Sequence, residues 1–153
     1  MKQLMRGGLA ALLLSGAAPA CAQTLVAARD DGSQIARFAM PEGQGWCVLW
    51  NHSVQGFPVT DCYENRQGRM VLVRSRQPDF AAGLGHIPGR GRQVSDGEGG
   101  YWILDIDEPV PGNAYVLRPG AGPVDHRLQV DGKIVSLSKA AARQRVRIEL
   151  RRE

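Results

Sequence analysis

The sequence lacks a second long apolar run. Residues 9–20 are apolar and small, with Leu12, Leu13 and Leu14 at their centre. That stretch is shorter than the roughly 20 residues a membrane-spanning helix needs, and no later stretch approaches it, so an integral membrane protein is not expected. Cysteine is scarce: Cys21, Cys47 and Cys62 are the whole complement, and no Cys-x-x-Cys pair is among them, which removes the usual redox and zinc-ribbon spacings. Lysine is nearly absent, so the formal charge of +4 is carried by arginine. No Gly-x-Gly-x-x-Gly follows a strand pattern and no Gly-Lys-Ser/Thr occurs, so nucleotide-phosphate loops are excluded. No Gly-x-Ser-x-Gly elbow is present. His52, His86 and His126 are far apart in sequence, so no sequence-local zinc motif exists. Neither an internal repeat nor a linker between two cores is visible.

What is present fits one domain. The chain has 153 residues, 43% hydrophobic and 22% charged, with 19 Gly and 9 Pro. That many backbone punctuators favours short elements and turns over long helices. Lys2 and Arg6 precede the apolar run with no acid among the first eight residues, the layout of a secretory leader. Ala20-Cys21-Ala22 fits a small-x-small cleavage site, so residues 1–22 read as a signal peptide and residues 23–153 as a single β domain. The alternative is lipidation at Cys21, with small Ala20 before it and Ala18 where such signals usually carry Leu; only then is membrane contact expected. Either way the chain is expected to be exported, soluble in the first case and lipid-anchored to a membrane in the second. Removing the leader takes away Lys2 and Arg6, which lowers the formal charge from +4 to +2 and argues against a nucleic-acid partner. It leaves Cys47 and Cys62, an even pair that reads in an oxidising compartment as one structural disulfide. In the chain-entropy view such a bridge adds about 3 kcal/mol.

Period-two alternation dominates the rest. Trp46, Val48, Trp50 and His52 share one face, and Cys47, Leu49, Asn51 and Ser53 share the other. Val59, Asp61 and Tyr63 alternate with Thr60, Cys62 and Glu64. Trp102, Leu104 and Ile106 are in phase, which places Asp105 and Asp107 together on a solvated face. Asp131-Gly132 between two β-type runs is a strong hairpin signal, and Asn65 to Gly68 is a looser one. Residues 138–143 are the one candidate helix after the leader. In the tail, Val146, Ile148 and Leu150 point inward while Arg145, Arg147, Glu149 and Arg151 point outward, as suits an edge strand. The expected fold is all-β, an antiparallel β-sandwich or small barrel of about eight or nine short strands. Residues 80–100, with Gly83, Gly85, Gly89, Gly91, Gly97, Gly99 and Gly100 around Arg90 and Arg92, form the longest irregular stretch. It reads as a surface excursion or an anion- or ligand-binding loop.

If Cys47 and Cys62 face each other across a hairpin, paired positions keep a constant sum, so Asp61 faces Val48 and His52 faces Phe57. His52 and Asp61 then share a face about 13 Å apart along the strands, too far for a catalytic dyad. A site assembled by the fold from His52, His126 and an acid such as Asp61 remains open.

These residues also carry a resemblance. The stretch 46–150 resembles the bacterial domain-of-unknown-function family eighteen-fifty. It has His52-Ser53-Val54, then Pro58-Val59 and Asp61-Cys62-Tyr63, then Phe80-Ala81-Ala82-Gly83-Leu84-Gly85, and a late His126-Arg127-Leu128. Ala81, Gly85 and Asp61 stand where that family usually has Gly, Pro and Glu. The resemblance implies a small exported protein accompanying a TRAP transporter of the TAXI type, which imports organic acids with a periplasmic binding protein. It supplies no catalytic residue, cofactor or metal. Two functions follow. One is a non-enzymatic accessory or binding module whose surface centres on His52, Ser53, Asp61, Tyr63, Phe80, Gly83 and His126, with a TRAP transporter subunit or its periplasmic binding protein as partner. The other is a hydrolase or metal-dependent enzyme built on His52, His126 and an acid.

Overall fold

The computed structural model describes residues 22–78 and 88–153. Twelve strands fill most of that length: β1 (Gln23–Arg29), β2 (Gln34–Ala39), β3 (Gly45–Asn51), β4 (Pro58–Arg66), β5 (Arg69–Pro78), β6 (Arg92–Ser95), β7 (Gly100–Leu104), β8 (Glu108–Pro109), β9 (Ala114–Leu117), β10 (Arg127–Val130), β11 (Lys133–Ser136) and β12 (Val146–Arg152). They form two antiparallel sheets, a four-stranded one in the order β2-β1-β12-β9 and a larger one in the order β11-β10-β3-β4-β5-β7-β6, with β8 against β5. The arrangement is a sandwich, and neither sheet closes into a barrel. The strand number exceeds the expected eight or nine because β6, β8 and β9 are too short to show a periodicity.

The β3–β4 hairpin has the register that the cysteine pair implied: Cys47 opposes Cys62 and Val48 opposes Asp61, with the His52 N–H donating to the Phe57 carbonyl at 2.7 Å. Cys47 and Cys62 are disulfide-bonded. The Asp131-Gly132 turn joins β10 to β11, both residues at positive φ (48° and 74°) as a tight two-residue hairpin requires. The one α-helix among the described residues, α1 (Leu137–Ala141), is capped by Ser136, whose hydroxyl accepts from the Lys139 N–H.

The main core lies between the sheets. Leu25 and Ala27 of β1 and Val146, Ile148 and Leu150 of β12 pack on Trp46 and Val48 of β3 and Leu128 and Val130 of β10, with Met40 and Met70. A second cluster of Leu72, Tyr101, Ile103 and Ile106 draws no buried residue from the four-stranded sheet. The outer face of β1 is covered too. Thr24 and Val26 are buried on the face carrying Arg37 and Arg151, and Arg37 pairs with Glu153, which also accepts from the Thr24 hydroxyl. Long charged side chains shield apolar surface there while keeping their heads in water.

Three expectations are corrected. First, β12 pairs with β1 on one side and β9 on the other, so it is an interior strand; its outward arginines mark the solvent face of a sheet and not an edge. Second, β7 buries Tyr101 and Ile103, leaving Trp102 and Leu104 on the opposite face. The strand stops at Leu104, Asp105 and Asp107 take positive φ (57° and 53°), and this break resets the phase so that Ile106 is buried again. Asp105 and Asp107 therefore do not share a strand face. Third, residues 92–95 within the expected irregular stretch are β6, paired with β7. Phe80 and Gly83 lie outside the described residues.

Candidate functional site

β4 brings Asp61 and Tyr63 onto the inner face of the larger sheet, because they alternate with the disulfide-bonded Cys62 on the outer face. Their neighbours on β5 are set by a bulge. Asp61 opposes Ser75 while Tyr63 opposes Leu72, so β5 holds one extra residue between them, Val73. The bulge delivers a hydroxyl to the carboxylate: the Ser75 hydroxyl donates to Asp61 Oδ1 at 2.5 Å. The Gln77 amide in turn donates to Ser75 Oγ at 2.5 Å. Ser75 is 1% exposed, and Gln77 Oε1 is buried with no partner. Burial pushes the Asp61 carboxyl above its ordinary range, opposed by the Ser75 hydrogen bond and the charge of Arg90.

Tyr63 stacks between Trp46 (centroids 5.7 Å apart) and Tyr115 of β9 (5.0 Å). Its hydroxyl is pushed up by burial first and by the Asp61 charge second. The Tyr115 hydroxyl is fully buried beside the Trp46 indole N–H and the Tyr63 hydroxyl. Arg90 closes this region with its guanidinium, which holds Glu108 through two hydrogen bonds, Nε to Oε1 at 2.7 Å and Nη2 to Oε2 at 2.9 Å. The backbone places it: Gly89 and Gly91 have φ of 87° and 65°. At Gly91 a Cβ would lie 2.3 Å from the Leu104 carbonyl oxygen, so no larger residue fits.

The other expected residues lie elsewhere. His52 and Ser53 sit at the tip of the β3–β4 hairpin, where His52 Nδ1 faces the Val54 and Gln55 amides at 3.4 and 3.3 Å. Val54 and Phe57 project beside them, 85% and 41% exposed. His126 immediately precedes β10 and stacks on Trp50 at 5.7 Å with the rings nearly parallel. Its Nδ1 accepts from the Gly120 N–H at 3.1 Å, and burial lowers its pKa while Asp125 opposes that. The structure does not gather His52, His126 and an acid: among the described residues no three His, Cys, Asp or Glu side chains group as metal ligands do. Of the expected residues, Asp61 and Tyr63 come together. Ser75, Gln77, Arg90 and Tyr115 join them, and no sequence pattern singled those out as a group.

A concave surface also lies on the other face of the same sheet. It is a groove of about 900 Å³ lined by both cysteines, Glu64, Arg66, Arg74 and Asp107 among others. Its charges are largely internally engaged. Arg66 pairs with Glu64 (3.2 Å) and Asp107 (2.7 Å), and Arg74 lies over the Trp102 ring at 5.2 Å. The inner cluster, with a carboxyl whose pKa burial raises and the unpaired Gln77 amide oxygen nearby, is the stronger candidate.

Chemically, the Gln77–Ser75–Asp61 relay has its one hydroxyl proton committed to a carboxylate and no histidine in line. It is suited to accepting and donating hydrogen bonds and does not present a nucleophile to a substrate.

These features define a disulfide-bonded antiparallel β-sandwich with a polar cluster set into one sheet's inner face. The chain belongs to the domain of unknown function DUF1850, whose family model matches residues 47–137. That match runs from Cys47 within β3 to the first residue of α1, including Asp61, Tyr63, Ser75, Gln77, Arg90, Tyr115 and His126. No curated protein and no solved structure matches the chain.

Proposed function

We propose that this protein is an exported, non-enzymatic binding or accessory module of the bacterial periplasm that works alongside a TRAP-type organic-acid uptake system. Its partner is a transporter subunit or the periplasmic solute-binding protein. The observation that carries the non-enzymatic part is the Gln77–Ser75–Asp61 relay beside Tyr63 and Arg90, a recognition geometry without a presented nucleophile. Export is supported by the leader-like residues 1–22 and by the Cys47–Cys62 bridge, since such bridges persist in oxidising compartments. The uptake link rests on the family resemblance.

Affinity capture with the disulfide-bonded domain from periplasmic and membrane extracts tests the reading. Recovery of an organic-acid transporter component, reduced by Asp61→Ala, is the expected result; recovery of none overturns the accessory role. Stoichiometric metal in the purified protein, lost in His52→Ala, would instead favour the enzyme reading.

A further inference from the structure

The segment between β9 and β10, residues 118–125, has little regular structure of its own, so its position depends on the groups that pin it. The Arg143 N–H donates to the Pro119 carbonyl at 2.7 Å. The Asn51 side-chain amide donates to the Pro123 carbonyl at 2.7 Å. The Ser138 hydroxyl donates to the Gly120 carbonyl. The fourth pin is the one that can titrate: the Gly120 N–H donates to His126 Nδ1 at 3.1 Å. Val124 folds back onto Gly120, where a Cβ would lie 2.6 Å from the valine Cβ, so displacing Gly120 moves the whole turn.

We propose that His126 is an acid-sensitive latch: protonation of its ring puts an N–H where Nδ1 accepts from Gly120, and the 118–125 segment loses that pin and loosens at Gly120 while its other three pins stay. A neutral imidazole can accept at one nitrogen, whereas an imidazolium donates at both and leaves no lone pair to accept from an amide N–H. The surroundings confine the change to that bond. The His126 N–H is fixed by Ser138 Oγ at 2.8 Å, and its carbonyl accepts from the Leu137 and Ser138 N–H groups. Trp50 holds the ring from the β3 side in either state, because an imidazolium over an indole face is also favourable.

The charged and titratable groups around the ring are few. Asp125 favours the protonated form and is itself paired with Arg127 of β10 at 3.4 Å. Lys139 of α1 borders the same crevice as Asp125. From β3 the ring meets Trp50, with His52 two residues further along. Arg118 opens the segment. Burial lowers the ring's pKa below its ordinary value, so the latch is closed at neutral pH and opens on acidification.

Amide hydrogen exchange of the intact disulfide-bonded domain, read by NMR at pH 7.5 and pH 5 and corrected for intrinsic exchange, tests this. Protection at Gly120 should fall about tenfold at the lower pH, the loss of one hydrogen bond, while Leu128 in β10 keeps its protection. His126→Asn, which retains a side-chain acceptor but cannot titrate, should remove the pH dependence. Should it fail to fold, the nitrogen-15 titration of the wild-type ring, followed against Gly120 exchange, supplies the same comparison. Gly120 protection that stays constant while the ring titrates, or that tracks pH equally in His126→Asn, overturns the proposal.

Discussion

The inner face of the larger sheet is two different surfaces. Along β10 and β3 it is apolar, with Leu128, Val130, Trp46 and Val48 meeting the four-stranded sheet. Along β4 and β5 it is partly polar, with Asp61, Ser75 and Gln77 linked by hydrogen bonds beside a small cluster of its own. Both regions are antiparallel ladders, regular between β10 and β3 and bulged at Val73 between β4 and β5. The difference lies in what faces them: a second sheet demands apolar partners, whereas the other region tolerates a buried carboxyl because its hydrogen bonds are supplied from the next strand. One half holds the fold together, and the other is free to carry chemistry.

Truncations should separate the halves most clearly. Leu128→Ala empties a fully buried position in the main core (0% exposed) and should cost about 2–5 kcal/mol, read by chemical denaturation. Leu72→Ala, 8% exposed in the small cluster, should cost less; an equal loss would mean the clusters are one core. Replacing both Cys47 and Cys62 by Ser should remove about 3 kcal/mol with the strand signal in circular dichroism retained, which would show that side-chain alternation sets the hairpin register without the bridge. Ser75→Ala leaves Asp61 without its donor and should cost about 1–3 kcal/mol. A neutral effect would show that the relay is not satisfied in solution.

The halves should also answer pH in opposite directions. Asp61 is raised above 3.8 in the folded chain, so the folded state holds the proton more tightly. Its contribution is full below 3.8 and is lost as pH rises through the folded value. His126 is lowered below 6.5, so its contribution is full above 6.5 and is lost as pH falls below it. Urea midpoints measured across pH 3–8 in wild type, Asp61→Asn and His126→Asn should remove one slope each. The smallest effect is expected from Arg74→Ala on the outer face, about 0.5–1 kcal/mol for its contact with Trp102.

Much of the closed half was legible from the sequence. The alternation through Trp46 to Trp50 and the pairing of Cys47 with Cys62 fix the β3–β4 register, and Asp131-Gly132 marks its own turn. The polar half was legible only in part. Asp61 and Tyr63 share a face by simple alternation, but their partners do not follow from it. Regular pairing continued from Asn65 opposite Met70 would set Arg74 against Asp61. The bulge at Val73 replaces that arginine with Ser75, and no residue near Val73 announces it. The phase change after Leu104 was hidden for the same reason, because Asp105 and Asp107 adopt positive φ in a stretch that alternates as though it were a strand. The interior place of β12 was hidden by distance, since its partners β1 and β9 are set by tertiary contact and not by anything adjacent.

The β1–β12 pairing has a kinetic consequence. Gln23 meets Arg152 and the ladder runs through to Arg29 opposite Val146, so the earliest strand in chain order waits for the latest. Until β12 emerges, the apolar side of β1 has no permanent neighbour on that flank, and closing so wide a loop is entropically slow. The sandwich is thus sealed only once β12 has been made. A domain whose first strand waits for its last remains threadable for longer than one whose strands pair as they appear.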